Sequence, residues 1–472
     1  MKLYEKLAAS LRSHIEQGLF QGGDKLPSVR QLAKQHEVSI STVQEAYRHL
    51  EADNLLEARP KSGYFVTASV PLYQLPKPSR PAQRPIDVSQ WHEVLNLLLS
   101  KNVGAIQLQH AMPIMDVPSL DPLLKKIAQL TKYQARLSLP YGDVMGAFIL
   151  REQIARLTLA SGCQLHPDEL VITSGCQEGL TVCLRAVSEP GDIVAIESPS
   201  FYGSMQAIKA ANLKAMEIPT HAQTGLSIEA LELALEQWPI KAILLTPTCN
   251  NPMGYSMPEA HKKRLYQLAQ SYDIAIIEDD IYGDIAYQYP RPKSIKSFDE
   301  DGRVLLCSSF SKSLAPGLRV GWIAPGRYRD KATHIKYVSS SMCPTLPQLA
   351  VADFIQSGGY ERHLRRLRLQ HKLGRDQLIN ALNRYFPIGT CISFPEGGYL
   401  LWVELPKRVD AVKLAQQSAQ AGVNIAAGTL FSATGKYRNC MRLNFSEQDA
   451  KIREEGIRQL AYFINQQLIH RE

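Results

Sequence analysis

Apolar residues recur at helical spacing at the start of the chain, where Leu3, Leu7, Leu11 and Ile15 share one side of "LYEKLAASLRSHIE". That spacing predicts an amphipathic helix. The charges distributed through it exclude the unbroken apolar stretch of a signal peptide. A second helical pattern follows in "LPSVRQLAKQHEVSISTVQEAYRHLE". Pro27 and Ser28 open a short helix with Val29, Leu32 and Ala33 on its inner face, "HEVS" makes a turn, and Ser39 caps a further helix. The inner stripe of that helix is Val43, Ala46, Tyr47 and Leu50, at i, i+3, i+4 and i+7. Ile40, Ser41, Thr42, Gln44 and Arg48 are left on its outer face and first turns. "LLEARPKSGYFV" then predicts two short strands around a basic turn. Together these elements have the layout of a winged helix-turn-helix over residues 1–66.

The pattern breaks over residues 67–104, where Pro71, Pro76, Pro78, Pro81 and Pro85 forbid a helix or central strand. With Lys77, Arg80 and Arg84 beside them, they predict a semi-rigid basic linker. Beyond it the period changes. "ELVITSG", "DIVAIESP", "KAILLTPTCNNP", "IAIIEDD" and "VLLCSSFS" are short apolar runs separated by helical patterns. Runs that are apolar at every position are strands buried on both faces, as in a mostly parallel sheet with crossover helices. The expected architecture is a large α/β domain over 105–325 and a smaller α+β domain over 326–472. In open α/β sheets the chemistry gathers at the carboxyl ends of strands. Those ends carry Ser174-Gly175, Glu197-Ser198-Pro199, Asn250-Asn251-Pro252, Asp279-Asp280 and Ser309 to Lys312.

Composition narrows this little. A hydrophobic content of 45% and a charged content of 21% exclude a disordered chain. The net charge of +8 permits a polyanionic partner without requiring one. Eight scattered cysteines, with no pair at zinc-ligand spacing, predict reduced thiols, no metal and a cytoplasmic address. No apolar run approaches the roughly 20 residues of a membrane span.

The first 66 residues balance nine Lys/Arg against eight Asp/Glu, so any DNA contact must come from local placement. Through "GDKLPSVRQLA", "STVQEAYRHLE" and "SGYFV" the segment resembles the GntR family of bacterial transcription factors. That resemblance implies double-stranded DNA as partner, with Arg30, Ser39, Ser41, Thr42, Gln44 and Gly63 at the duplex. Arg48 and Lys61 are added from their place on the helix and in the wing. Ile40 stands where some family members carry a basic residue.

The strand-end residues after the linker are individually weak signals, but jointly they meet the needs of pyridoxal 5′-phosphate (PLP). Its aldehyde needs an amine for a Schiff base, its ring nitrogen a carboxylate, its phenolate oxygen neutral donors, and its phosphate helix-start amides with a cation. No P-loop or dinucleotide fingerprint competes. The constellation resembles fold-type I PLP enzymes of the aminotransferase class I kind over about residues 105–465. The resemblance implies that Lys312 in "SFSK" anchors the aldehyde and that Asp279 in "EDDIY" pairs with the ring nitrogen. Tyr282 and Asn251 would donate to the phenolate oxygen. The amides of Gly175, Cys176 and Gln177, with Ser309 and Arg319, would hold the phosphate. Phe201 in "ESPSFYG" would stack on the ring, with Tyr202 as the adjacent alternative. Tyr141 would reach a second subunit's phosphate, and Arg442 in "MRLNFS" would clamp a substrate carboxylate.

A GntR-like reader followed by a linker and an aminotransferase-like domain resembles the MocR group of transcriptional regulators. The resemblance implies a homodimer in which PLP and an amino compound bias DNA binding. A working aminotransferase with an accessory DNA-binding domain is the alternative.

Overall fold

Leu7, Leu11 and Ile15 turn inward from helix α1 (Leu3–Glu16), while Leu3 stays exposed at the free end of the stripe. The computed structural model describes the chain except for residues 1–2, 17–18, 21–22, 53–54, 60–61, 67–73, 79–80, 82–83, 90, 100–104, 116, 135, 137–138, 448 and 470–472. The chain divides into two compact units, Met1–Tyr73 and Gln74–Glu472.

In the first unit α1 packs against α2 (Val29–Gln35) and α3 (Ile40–Ala52) around one core. Val43, Ala46, Tyr47 and Leu50, the expected stripe of α3, are all fully buried. Ser28 caps α2 in a capping box, its Oγ accepting from Gln31 N–H and its own N–H donating to Gln31 Oε1. Tyr47 Oη donates to Pro27 O at 2.6 Å, tying α3 to the start of α2. Strands β1 (Leu56–Arg59) and β2 (Gly63–Val66) form the antiparallel wing.

The second unit begins earlier than the sequence reading placed it. Most of the expected linker from Gln74 onward is built into this unit. Gln74 bridges Cys391, Ile86 exchanges two backbone hydrogen bonds with Ala215, and Val88 and Val94 are core residues. The apolar residues between and after the prolines have surface to bury. Just after it, β3 (Ile106–Gln107) runs parallel to β14 (Val423–Asn424), so the start of the expected large domain belongs structurally with the carboxyl-terminal part.

The large sheet has strand order β4-β11-β10-β9-β8-β5-β6-β7. Its members are β4 (Val171–Thr173), β5 (Ile193–Ser198), β6 (Lys214–His221), β7 (Gly225–Leu226), β8 (Ile240–Leu245), β9 (Ala275–Asp279), β10 (Val304–Ser309) and β11 (Gly321–Ala324). Pairings from β10 through β6 are parallel, and β11 runs antiparallel to both neighbours. The five expected strands therefore point the same way. Alternate residues face opposite cores, with Ile243, Leu245 and Ile276 on one side and Ala242, Leu244 and Ile277 on the other. That is why these strands read as unbroken apolar runs. The smaller sheet joins β12 (Cys391–Ile392), β13 (Leu400–Glu404), β16 (Cys440–Asn444) and β15 (Ala426–Ala427), all antiparallel. Ala332 and Ile335, beyond the expected boundary at 325/326, complete the large-sheet core through the helix Arg329–Ser340.

Candidate functional site

The common direction of β4, β5, β8, β9 and β10 brings their carboxyl ends to one edge, where a cavity of about 120 Å³ opens. Its wall holds Cys176, Gln177, Phe201, Asn251, Asp279, Tyr282, Lys312 and Arg319, together with Leu180, Thr246, Ile281 and Ser311. Residues far apart in sequence thus share one small space.

Asp279 ends β9 and is almost completely buried, accepting from Cys176 Sγ at 3.3 Å and Ile281 N at 3.2 Å. Burial pushes its carboxyl up to about 6, against the pull of these donors and of Lys312. Lys312 donates from Nζ to Ala111 O at 2.5 Å. Desolvation, with Arg442 nearby, brings its amine down to about 8. Buried Tyr282 lines the cavity, its ring edge-on to that of Tyr399 at 5.8 Å and its hydroxyl within reach of the Tyr399 hydroxyl.

Gly175, in the left-handed region at φ 91°, precedes the helix Cys176–Val187. A Cβ there would collide with the Arg319 guanidinium, so glycine lets the arginine approach the helix start. Arg319 donates to Ser174 O at 2.6 Å and lies 3.4 Å from Ser311 Oγ. A helix amino terminus, a guanidinium and a hydroxyl make an anion cradle. The structure brings Ser311 to this wall rather than Ser309. Ser309 completes β10, accepts from Ser311 N–H at 3.2 Å and lines a separate small gap with Asp280 and Arg291.

Phe201, not Tyr202, faces the cavity. Gly203 leaves room for its ring, and Tyr202 turns toward Phe431 at 5.8 Å. Arg442 is 0% exposed and does not line the cavity, yet its Nη1 donates to Asn251 Oδ1 at 3.0 Å and its Nη2 to Gln109 O. Its Cζ lies 5.0 Å from the Phe431 ring centroid. Tyr141 is 89% exposed and outside the cavity wall. Sequence reasoning placed Ser311 at a strand end without giving it a role, and it missed Thr246 and the carbonyls of Gln109 and Ala111 that Arg442 and Lys312 engage. A carbonyl carries no residue signature, so no sequence signal marked the last two.

In the first unit Ser39 Oγ accepts from Thr42 N–H at 3.1 Å and lies within 2.9 Å of the hydroxyls of Ser41 and Thr42. Arg30, Gln44 and Gly63 are exposed, and exposed Arg48 pairs loosely with Glu45 at 3.4 Å. Ile40 is 50% exposed at the first turn of α3. Lys61 lies outside the described residues.

Residues 116–459 match the family model of aminotransferase class I and II, and residues 3–66 match that of bacterial regulatory proteins of the gntR family. The chain is 49% identical over 461 residues to the uncharacterized HTH-type transcriptional regulator YjiR of Escherichia coli (strain K12), covering 98% of both chains. It is 35% identical to the uncharacterized HTH-type transcriptional regulator YdcR of the same organism, covering 99% of this chain and 100% of the other. Among solved structures it is similar to Pyrococcus horikoshii kynurenine aminotransferase in complex with PMP, at 32% identity and a TM-score of 0.73, over 81% of this chain and 96% of that one. The chain belongs to the aminotransferase class I and II family, among HTH-type transcriptional regulators that carry a DNA-binding gntR-family module ahead of that domain.

Proposed function

We propose that this chain is a transcriptional regulator whose second unit holds PLP and senses an amino compound through it. The observation that carries this is the meeting of Lys312, Asp279, Asn251, Tyr282 and Arg319 at one cavity, in a chain that also bears a gntR-type reader. The residues fit the cofactor. Tyr282 brings a buried hydroxyl to the cavity wall, the Gly175–Arg319 cradle suits a phosphate, and the buried Asp279 carboxylate suits a protonated ring nitrogen.

In this reading Lys312 holds PLP covalently through Nζ, and Asp279 keeps the ring nitrogen protonated. Asn251 and Tyr282 donate to the phenolate oxygen, and Phe201 covers the ring face. The Gly175, Cys176 and Gln177 amides hold the phosphate with Arg319 and Ser311, in place of the expected Ser309. When bound, PLP supplies an electron sink for an attached amino compound. Arg442 receives the compound's carboxylate and gives up its bond to Asn251. Tyr141 serves a second copy in a homodimer. Arg30, Ser39, Ser41, Thr42, Gln44, Arg48, Lys61 and Gly63 contact operator DNA. No helix among the described residues is long and apolar enough to cross a membrane, which supports a cytoplasmic address.

The full polar set at the cavity also supports a second reading, a working aminotransferase with an accessory DNA-binding module. One experiment separates them. Purified protein with added PLP should turn yellow, and borohydride should fix the cofactor on Lys312. Operator affinity should then change with amino compounds while added keto acids are not aminated. Sustained amino transfer lost in Lys312→Ala would favour the enzyme, and colourless protein would reject both.

A further inference from the structure

We propose that Arg291 is a positioning residue for the cofactor-binding side chains, a proposal that rests on the PLP reading above. Its guanidinium is nearly buried. Nη2 donates to both oxygens of Asp280, with Oδ1 at 2.6 Å, and Nη1 donates to Asp284 Oδ1 at 2.6 Å. Asp280 directly follows Asp279, and Asp284 lies two residues beyond Tyr282. One planar fork therefore grips both ends of the turn that presents Asp279 and Tyr282 to the cavity.

The grip extends to the lysine. Asp284 Oδ2 accepts from Tyr360 Oη at 2.8 Å, and Tyr360 Oη lies 2.7 Å from the hydroxyl of Ser313, the residue after Lys312. Arg368 closes the network from behind, donating to Asp284 O at 2.8 and 3.0 Å. A Cβ at Gly283 would strike the Arg291 guanidinium, so the turn is shaped around this side chain. Three cofactor-facing residues on two strand ends thus take their positions from one arginine, which itself is absent from the cavity wall.

The same unit contains a matched arginine without this connection. The Arg303 side chain is also little exposed, at 4% against 8% for Arg291, but it pairs with the more exposed Asp301 and Asp273 and donates to Ala269 O and Ile274 O. It stands at the amino ends of β9 and β10, opposite the edge that bears the cavity. Arg303→Lys reports the cost of loosening a buried arginine, and Arg291→Lys reports that cost plus any loss of positioning.

The test uses full-length protein with PLP as the probe, and reads its dissociation constant, the pH midpoint of its bound visible absorbance and the thermal midpoint. Arg291→Lys should weaken PLP by about tenfold, the scale expected when reacting groups are misplaced by a fraction of an ångström. It should also move the absorbance midpoint, which depends on how Asp279 and Tyr282 are held against the bound ring. Arg303→Lys should lower the thermal midpoint while PLP affinity stays within about twofold. Tyr360→Phe keeps the ring against Phe310 but loses both hydroxyl bonds, and should weaken PLP in the same direction by a smaller factor. The proposal is overturned if Arg291→Lys leaves affinity and midpoint unchanged, or if Arg303→Lys shifts them equally. It also falls if Arg291→Lys is insoluble while Tyr360→Phe binds normally. Wild-type protein that binds no PLP rejects the underlying reading, a result distinct from any of these.

Discussion

At Lys312 the important quantity is how much amine is neutral. Burial brings it to about 8. Roughly a quarter is then neutral at pH 7.5, against about one part in a thousand for an ordinary lysine. The direction follows from desolvation, which penalises the charged form of an amine. Asp279 titrates lower, near 6, so between pH 6.5 and 8.5 the lysine governs the reaction with an aldehyde. PLP loading onto apo protein should rise about eightfold from pH 6.5 to 7.5 and flatten above about 8.5. A stopped-flow series should show this, and a midpoint near 10 would refute it. The motif "SFSK" showed where the lysine lies, but its depressed pKa depends on Arg442 and on burial that only folding creates. Ser309 and Ser311 show the same limit. Both precede the lysine within three residues, and only the turn after β10 decides which hydroxyl meets Arg319.

Elements were legible where one residue pattern decided their environment. Strands apolar at every position could only be buried on both faces, and all five expected from such runs formed in a common direction. β6 was missed because Lys214, Glu217, Pro219, Thr220 and His221 interrupt its apolar residues, and its buried Glu217 is satisfied by Ser432 Oγ and Ala433 N–H from distant chain. β11 was missed because four residues beside a left-handed Arg319 carry too little pattern. In α3 the pattern was complete, and its two faces should respond differently to substitution. Leu50→Ala should destabilise the first unit by about 3 kcal/mol, through lost burial and the cavity left behind. Gln44→Ala should leave melting unchanged and weaken operator binding by about tenfold, as expected for a lost base contact. Calorimetry with a DNA-binding isotherm on each full-length variant checks both. Equal melting of the two would mean that the helix is not seated by its inner stripe.

For the whole molecule, the linker reading changes what coupling has to achieve. Gln74, Ile86, Val88 and Val94, four residues of the expected linker, belong to the second unit and are not free tether. Composition alone could not show this, since proline-rich sequence is extended whether it floats or packs. If PLP or its amino adducts bias DNA binding, the coupling must act in both directions, because a thermodynamic cycle has no preferred path. Operator DNA should then alter PLP affinity by the same factor that PLP alters operator affinity. A factor of about 5 to 150 is the usual scale for such coupling. The test takes a duplex from the chain's own promoter and measures four constants: DNA binding to apo and holo protein, and PLP binding with and without DNA. Matching ratios above unity, lost on removal of residues 1–73 while PLP affinity without DNA persists, would establish that the cofactor unit controls the reader. Ratios of one in both directions would leave PLP as a fixture of the fold and assign sensing wholly to the amino compound that joins it.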